Sequence, residues 1–129
     1  MIKYFMVNQV NEFLKETRRF YLATVKNNEP KMRPFGASMV FENKLYVVTS
    51  NNKDVFIQMV NNPNISILAC NDSRKWVRIE GVAKQDNRID AKQKMLDDNP
   101  ILIANKRYSS ASDPTMAIFY IDNPTINFY

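Results

Sequence analysis

Between residues 20 and 50 the chain swaps strand for turn every few residues, and that rhythm limits the fold more than any other feature. FYLATVK (20–26) is aromatic and β-branched, and NNEP (27–30) is a turn signal. MRPFGASMVFE (32–42) reads as a second strand, with Pro34 and Gly36 marking an irregular place in it. ENK (42–44) then turns into LYVVTS (45–50). Strands this close together, joined by short polar turns, pair as an antiparallel meander. This favours an antiparallel architecture over a doubly wound sheet.

The flanking segments extend this plan. Val7, Val10, Phe13, Leu14 and Thr17 recur at helical spacing over 7–17, before the strands begin. DVFIQMVNN (54–62) predicts a short helix, with Asn51 and Asn52 as cap candidates and Asn62-Pro63 as its stop. ISILACN (65–71) predicts a buried strand, and WVRIEGVAKQ (76–85) a long one after the DSRK turn. In that long strand Val77, Ile79, Gly81 and Ala83 share a core face, while Trp76, Arg78, Glu80 and Val82 share the other. RIDAKQKMLDD (88–98) reads as a polar surface helix ending at Asn99-Pro100. MAIFYID (116–122) and TINFY (125–129) are closing strands around Asn123-Pro124, and about 103–115 no period is visible. Six or seven strands with a few short helices point to one mainly β domain, an antiparallel barrel or roll over 1–129.

Composition narrows the chemistry. With 45% apolar and 24% charged residues in 129, the chain is an ordinary globular protein. No run nears the roughly 20 apolar residues of a membrane helix. MIKYFMVNQV is broken by Lys3, Asn8 and Gln9, so it lacks the apolar stretch of a secretory signal. The expectation is a soluble cytoplasmic protein without a membrane partner. Zero His removes imidazole bases, Ser-His-Asp catalysis and His-ligated zinc or haem. The single Cys70 allows neither a disulfide within the chain nor a cysteine-cluster metal site, and its apolar run predicts a buried, inert thiol. Two Gly are too few for a Gly-rich phosphate loop. No metal site is predicted, and an enzyme built from these residues borrows its chemistry from an organic cofactor. A balance of 18 − 13 = +5 suits an anionic ligand, but the basic residues are spread along the chain as on a solvated surface.

Three constellations remain. Thr49-Ser50-Asn51-Asn52-Lys53 spans a strand end and a helix start, where free N–H groups, hydroxyls and an ammonium form a phosphate cradle. A plain helix cap accounts for the same residues. Arg33-Pro34-Phe35-Gly36 is a strand irregularity beside a cation, either a ligand-facing edge or a Pro-protected one. Arg74-Lys75-Trp76-Val77-Arg78 puts an aromatic among cations, as in single-strand nucleic-acid binders, but without the glycine-and-aromatic pattern of the RNA-recognition sheet. Nucleic acid is not the predicted partner. Asp97 and Asp98 are adjacent rather than facing, so they read as a solvated helix end.

The order FYLATV, turn, PKMRPFGASMVFENKLYVVTSNNKDVFIQMVNNPNISIL, then RKWVRIEGVAK resembles the pyridoxamine 5′-phosphate oxidase-like family of FMN-binding split barrels. The resemblance spans about 7–87, and FYIDNPTINFY is similar to the family's C-terminal end. It implies a six-stranded antiparallel split β-barrel that forms a homodimer, with FMN held at the subunit interface. Arg33 matches a basic residue near the flavin, and Pro34 and Phe35 the strand that lines its ring. Thr49, Ser50 and Lys53 match the phosphate site, and Trp76 a position donated by the partner subunit. The implied activity is an FMN-dependent oxidoreductase acting on a small-molecule substrate or an electron donor such as NAD(P)H. A non-enzymatic flavin-binding or redox-sensing protein is the alternative. The small size is similar to the nitroimidazole-reductase-like branch, although this chain lacks the His that members often place near the flavin. Some relatives use a deazaflavin or no cofactor.

Overall fold

Helix α1 (Ile2–Thr17) opens the computed structural model, which describes residues 2–129 and their side chains from Phe5 onward. Val7, Val10 and Leu14 form its buried stripe, as their spacing predicts, and the helix starts earlier than the apolar period alone implies. Then come β1 (Phe20–Lys26), β2 (Glu29–Phe35), β3 (Ser38–Phe41), β4 (Lys44–Ser50), α2 (Asp54–Asn61) and β5 (Asn64–Cys70). The chain finishes with β6 (Trp76–Asp86), α3 (Ile89–Asp98), the short α4 (Ile101–Ala104) and β7 (Met116–Phe128).

The strands make one antiparallel seven-stranded sheet in the order β2-β1-β5-β6-β7-β4-β3. Asn27-Asn28 and Glu42-Asn43 have positive φ at both positions, as two-residue hairpin turns require, and Asn tolerates that conformation well. The strand expected over 32–42 is two strands, parted at Gly36-Ala37. β2 pairs with β1 and β3 with β4, so these consecutive strands are the sheet's opposite edges. The link from Phe35 to Ser38 reaches at most about 11 Å, so the sheet must curl until its edges nearly meet. That is a split barrel, with one strand more than the six that the resemblance implies.

The expected pair of closing strands is one continuous β7, and Asn123 passes through positive φ within it. β7 follows β6 past a register shift between Glu80 and Val82. At that shift a Cβ on Gly81 would lie 2.6 Å from Ile121 Cγ2 and 2.8 Å from the Asp122 carbonyl oxygen, so only glycine fits.

Two cores result. Phe20, Leu22, Ile67, Ile79 and Phe119 fill the barrel beneath α1 and α2. Met39, Tyr46, Ile118, Met95 and Tyr108 fill a second layer between the sheet and α3. A half-buried polar clasp borders that layer: Tyr46 donates from its hydroxyl to Asp86 Oδ2 at 2.7 Å, and Arg88 donates to Asp86 and Glu42. The segment without a period carries α4 and a turn gathered on Asp113, whose carboxylate accepts from Ser109 and Thr115 and is held at a pKa of about 2 by those bonds.

Two expectations need correction. Cys70 is exposed, because the alternation that buries Ile65, Ile67 and Ala69 turns it outward at the strand end. Asn51 and Asn52 do not cap α2: Lys53 holds the cap position, and the Asn51 amide donates to the Pro114 carbonyl at 2.8 Å.

Candidate functional site

Arg33 lies on β2 opposite Leu22, on the barrel-facing side with Phe35. Its guanidinium donates to the Leu22 carbonyl at 3.1 Å, to Thr24 Oγ1 at 2.8 Å and to Gln58 Oε1 at 2.7 Å. Thr24 and Gln58 are buried, and their acceptors are neutral. Partial burial pulls the Arg33 pKa down, and the charge of Asp54 works the other way. A guanidinium stays protonated in any case, so this is a fixed cation tied across β1, β2 and α2. The surface salt bridge that would suit an ordinary edge residue is not formed among the described residues.

Beside Arg33 opens a cavity of about 740 Å³, within the size range of small-molecule sites. Five of the seven residues singled out from the sequence line it: Arg33, Pro34, Phe35, Thr49 and Lys53. Ser50 does not. It follows Tyr46 and Val48 onto the other face of β4, where its hydroxyl pairs with the Tyr108 hydroxyl at 3.0 Å. Tyr108 does line the cavity, and its burial raises the phenol's pKa. A second groove of about 620 Å³ shares Arg33, Pro34 and Lys53 and adds Lys26 and Lys31.

Trp76 is elsewhere. It starts β6 and stacks on Tyr129, with ring centroids 3.9 Å apart and an interplanar angle of 14°. The two residues exchange backbone hydrogen bonds, and the Arg78 guanidinium lies 5.2 Å from the Trp76 ring. Trp76 is half-buried and contributes nothing to the cavity of its own chain.

Sequence reasoning missed four further lining cations. Lys15 ends α1, Arg18 and Arg19 form the turn into β1, and Arg107 follows α4. Arg18 has φ 65° and donates its N–H to the Leu14 carbonyl, which stops the helix and starts the turn. The Arg18-Arg19 pair at a helix-to-strand junction was the available signal; Arg107 sits in the stretch without periodicity.

The outer face of one half of the sheet is bare. Across it runs a register row of Pro34, Tyr21, Leu68 and Arg78, with Met32 one pair further along. Tyr21 is 42% and Met32 67% exposed.

Among the described residues no helix is long and apolar enough to cross a membrane, and no cluster of three metal-ligating side chains forms.

The fold has known counterparts. A NimC/NimA family protein from Clostridium acetobutylicum is 34% identical, with a TM-score of 0.91 over 98% of this chain and 86% of that one. General Stress Protein 26 from Bacillus anthracis is 25% identical, with a TM-score of 0.77 over 95% and 92%. HutZ, the heme storage protein from Vibrio cholerae, shares the fold at 18% identity and a TM-score of 0.72 over 95% and 92%. No curated protein matches the chain. The family model described as pyridoxamine 5′-phosphate oxidase matches residues 6–123. That span carries β1 through most of β7 and every cavity-lining residue, and the chain belongs to the pyridoxamine 5′-phosphate oxidase family.

Proposed function

We propose that the chain is a small FMN-dependent oxidoreductase that works as a homodimer. The observation that carries this reading is the cavity itself. Lys53 and Thr49 stand at its β4–α2 end, Arg33 lines it as a fixed cation, and β2 supplies a wall at Pro34 and Phe35. An ammonium and a hydroxyl suit a phosphate; the wall suits an aromatic ring. When bound, FMN would supply hydride and electron transfer at its ring. Lys53 and Thr49 then hold the phosphate, and Arg33 holds positive charge near the ring. Ser50 acts indirectly by fixing the Tyr108 hydroxyl.

The dimer rests on the bare sheet face. Tyr21, Met32 and Leu68 leave apolar surface open on the outer face, next to Pro34 at the cavity's edge. A second copy seated there would bury this surface and complete the site, with its Trp76 as the donated side chain.

The test begins with the purified protein. It should be yellow, release FMN on denaturation, and scatter light as a dimer. NAD(P)H should bleach the flavin, and an electron acceptor should restore its colour. Lys53→Met should weaken FMN binding about tenfold to a hundredfold, as for loss of a charge-assisted hydrogen bond of roughly 1.5–3 kcal/mol. Riboflavin, which lacks the phosphate, should be nearly indifferent to that change. Equal losses for both ligands, or a monomer with FMN bound, would overturn the reading.

A further inference from the structure

The cavity holds more positive charge than a flavin phosphate uses. Six basic residues line it, Lys15, Arg18, Arg19, Arg33, Lys53 and Arg107, against one carboxylate, Asp98. That carboxylate is already in an ion pair with Lys94. Among the described residues none of Lys15, Arg18, Arg19, Lys53 and Arg107 forms an ion pair. A phosphate monoester brings about −1.5 to −2 charges near neutral pH, so roughly three cations remain unmatched beside it.

The surplus is grouped by origin. Lys53 and Thr49 come from the β4–α2 junction, whereas Lys15, Arg18 and Arg19 come from the end of α1 and Arg107 from the turn after α4. The helix dipole accounts for Lys15 in the last turn of α1, but for none of the three arginines. Cations massed in one concavity repel each other in the free protein, and an anion removes that cost. Guanidinium groups are suited to paired phosphate oxygens.

We propose that Lys15, Arg18, Arg19 and Arg107 form a second anionic subsite, which takes the pyrophosphate group of a nucleotide-class ligand while the Lys53 side holds the flavin phosphate. This rests on the proposed flavin site, and it assigns the electron donor's phosphates to these four residues. Three arginines and a lysine converging from two chain segments match a group with more than one phosphate.

Inorganic pyrophosphate is the probe, titrated calorimetrically into the FMN-loaded protein at constant ionic strength. One pyrophosphate should bind per chain. Arg18→Gln/Arg19→Gln should weaken it about tenfold or more, and Arg107→Gln about threefold to tenfold, with FMN affinity changed less than about twofold. These side chains are exposed, so the variants should keep the wild-type unfolding midpoint. Absence of saturation in the loaded protein overturns the proposal. So does a tenfold loss of FMN affinity in Arg18→Gln/Arg19→Gln, which would make these residues part of the flavin site. Malonate binding as tightly as pyrophosphate would overturn the phosphate class. Displacement of pyrophosphate by ADP and NADPH alike places the nucleoside diphosphate half there, and displacement by NADPH alone requires the nicotinamide half. Displacement by neither overturns the nucleotide class. If the chain takes no FMN, the flavin reading fails by itself. The subsite then stands if pyrophosphate still binds, loses affinity in Arg18→Gln/Arg19→Gln, and ignores Lys53→Met.

Discussion

The two halves of the sheet are buried in different ways. In β4 every residue from Leu45 to Ser50 is buried, and in β7 so is every residue from Met116 to Phe119. Leu45, Val47 and Phe119 face the barrel, while Tyr46, Val48 and Ile118 face the layer under α3. β1 and β5 alternate instead, burying Phe20, Leu22, Ile65 and Ile67 and leaving Tyr21, Ser66 and Leu68 toward the outside. Helix α3 covers the outer side of the first half, whereas Tyr21 and Met32 stay exposed on the outer side of the second. The sequence shows the difference as texture. LYVV and MAIFYI are unbroken apolar runs, as strands buried on both faces need, whereas TINFY and WVRIEG alternate. A half-covered sheet with apolar residues on its free side is the surface that the proposed homodimer would bury.

The largest test of this contrast pairs one residue from each half. Ile118 is fully buried under α3, so Ile118→Ala should cost about 2–5 kcal/mol of stability. Leu68→Ala, on the bare face, should cost well under about 1 kcal/mol at protein concentrations where the chain is monomeric. Urea unfolding at low concentration measures both. Raising the concentration should then widen the loss for Leu68→Ala only, because a dimer interface adds its burial there. Equal losses at every concentration would erase the distinction between the halves.

How much of this was legible follows the same line. Strand rhythm and apolar periods come from local spacing, so the two hairpins, α1, α2 and the core face of β6 could be read from sequence. The expected meander is not formed, because β1–β2 and β3–β4 lie at opposite edges of the sheet. The break at Gly36-Ala37 could not, since Pro34 and Gly36 signal an irregularity without saying that the chain changes sheet edges there. Thr49, Lys53, Arg33, Pro34 and Phe35 were readable because strand ends and helix starts have sequence marks. Lys15, Arg18, Arg19 and Arg107 were not, because their convergence depends on how α1 and α4 pack across the sheet. Ser50 does not share the face of Thr49, because adjacent strand residues point to opposite sides, and its hydroxyl pairs with Tyr108.

A smaller effect separates the halves by pH. Asp86 is buried at the rim of the doubly covered half and accepts from Tyr46 and Arg88, and the Arg88 hydrogen bond leads in holding its pKa at about 2. An unfolded aspartate titrates near 3.9. The folded value is depressed, so the stabilisation is complete above about pH 4 and is lost as pH falls from there towards 2. With Arg88 partly exposed and screened, about 1–2 kcal/mol is at stake. Urea midpoints taken between pH 6 and 2.5 should fall for the wild type and stay flatter for Asp86→Asn. Parallel curves would show that the clasp does not couple folding to that proton.

The smallest effect belongs to the rim of the bare half, where Trp76 stacks on Tyr129. Such a pair contributes about 0.5–1.5 kcal/mol beyond its buried area. Trp76→Ala and Tyr129→Ala should therefore lower stability by similar, modest amounts if the stack is all that either residue does. The proposed donation of Trp76 to a partner's flavin breaks that symmetry. Trp76→Ala should then weaken FMN binding by roughly 0.5–3 kcal/mol, the range of aromatic and stacking contacts, and Tyr129→Ala by less. Trp76 is the chain's only tryptophan, so its emission reports this one position. FMN added to flavin-free protein should quench that emission and saturate at one flavin per chain. Energy transfer also quenches at a distance, so the affinities decide. Trp76→Phe keeps a ring against Tyr129 and should recover most of both stability and FMN affinity. If Trp76→Ala and Tyr129→Ala stay dimeric and lose FMN affinity equally, the stack is structural. The bare half would then meet its partner without touching the flavin through this residue.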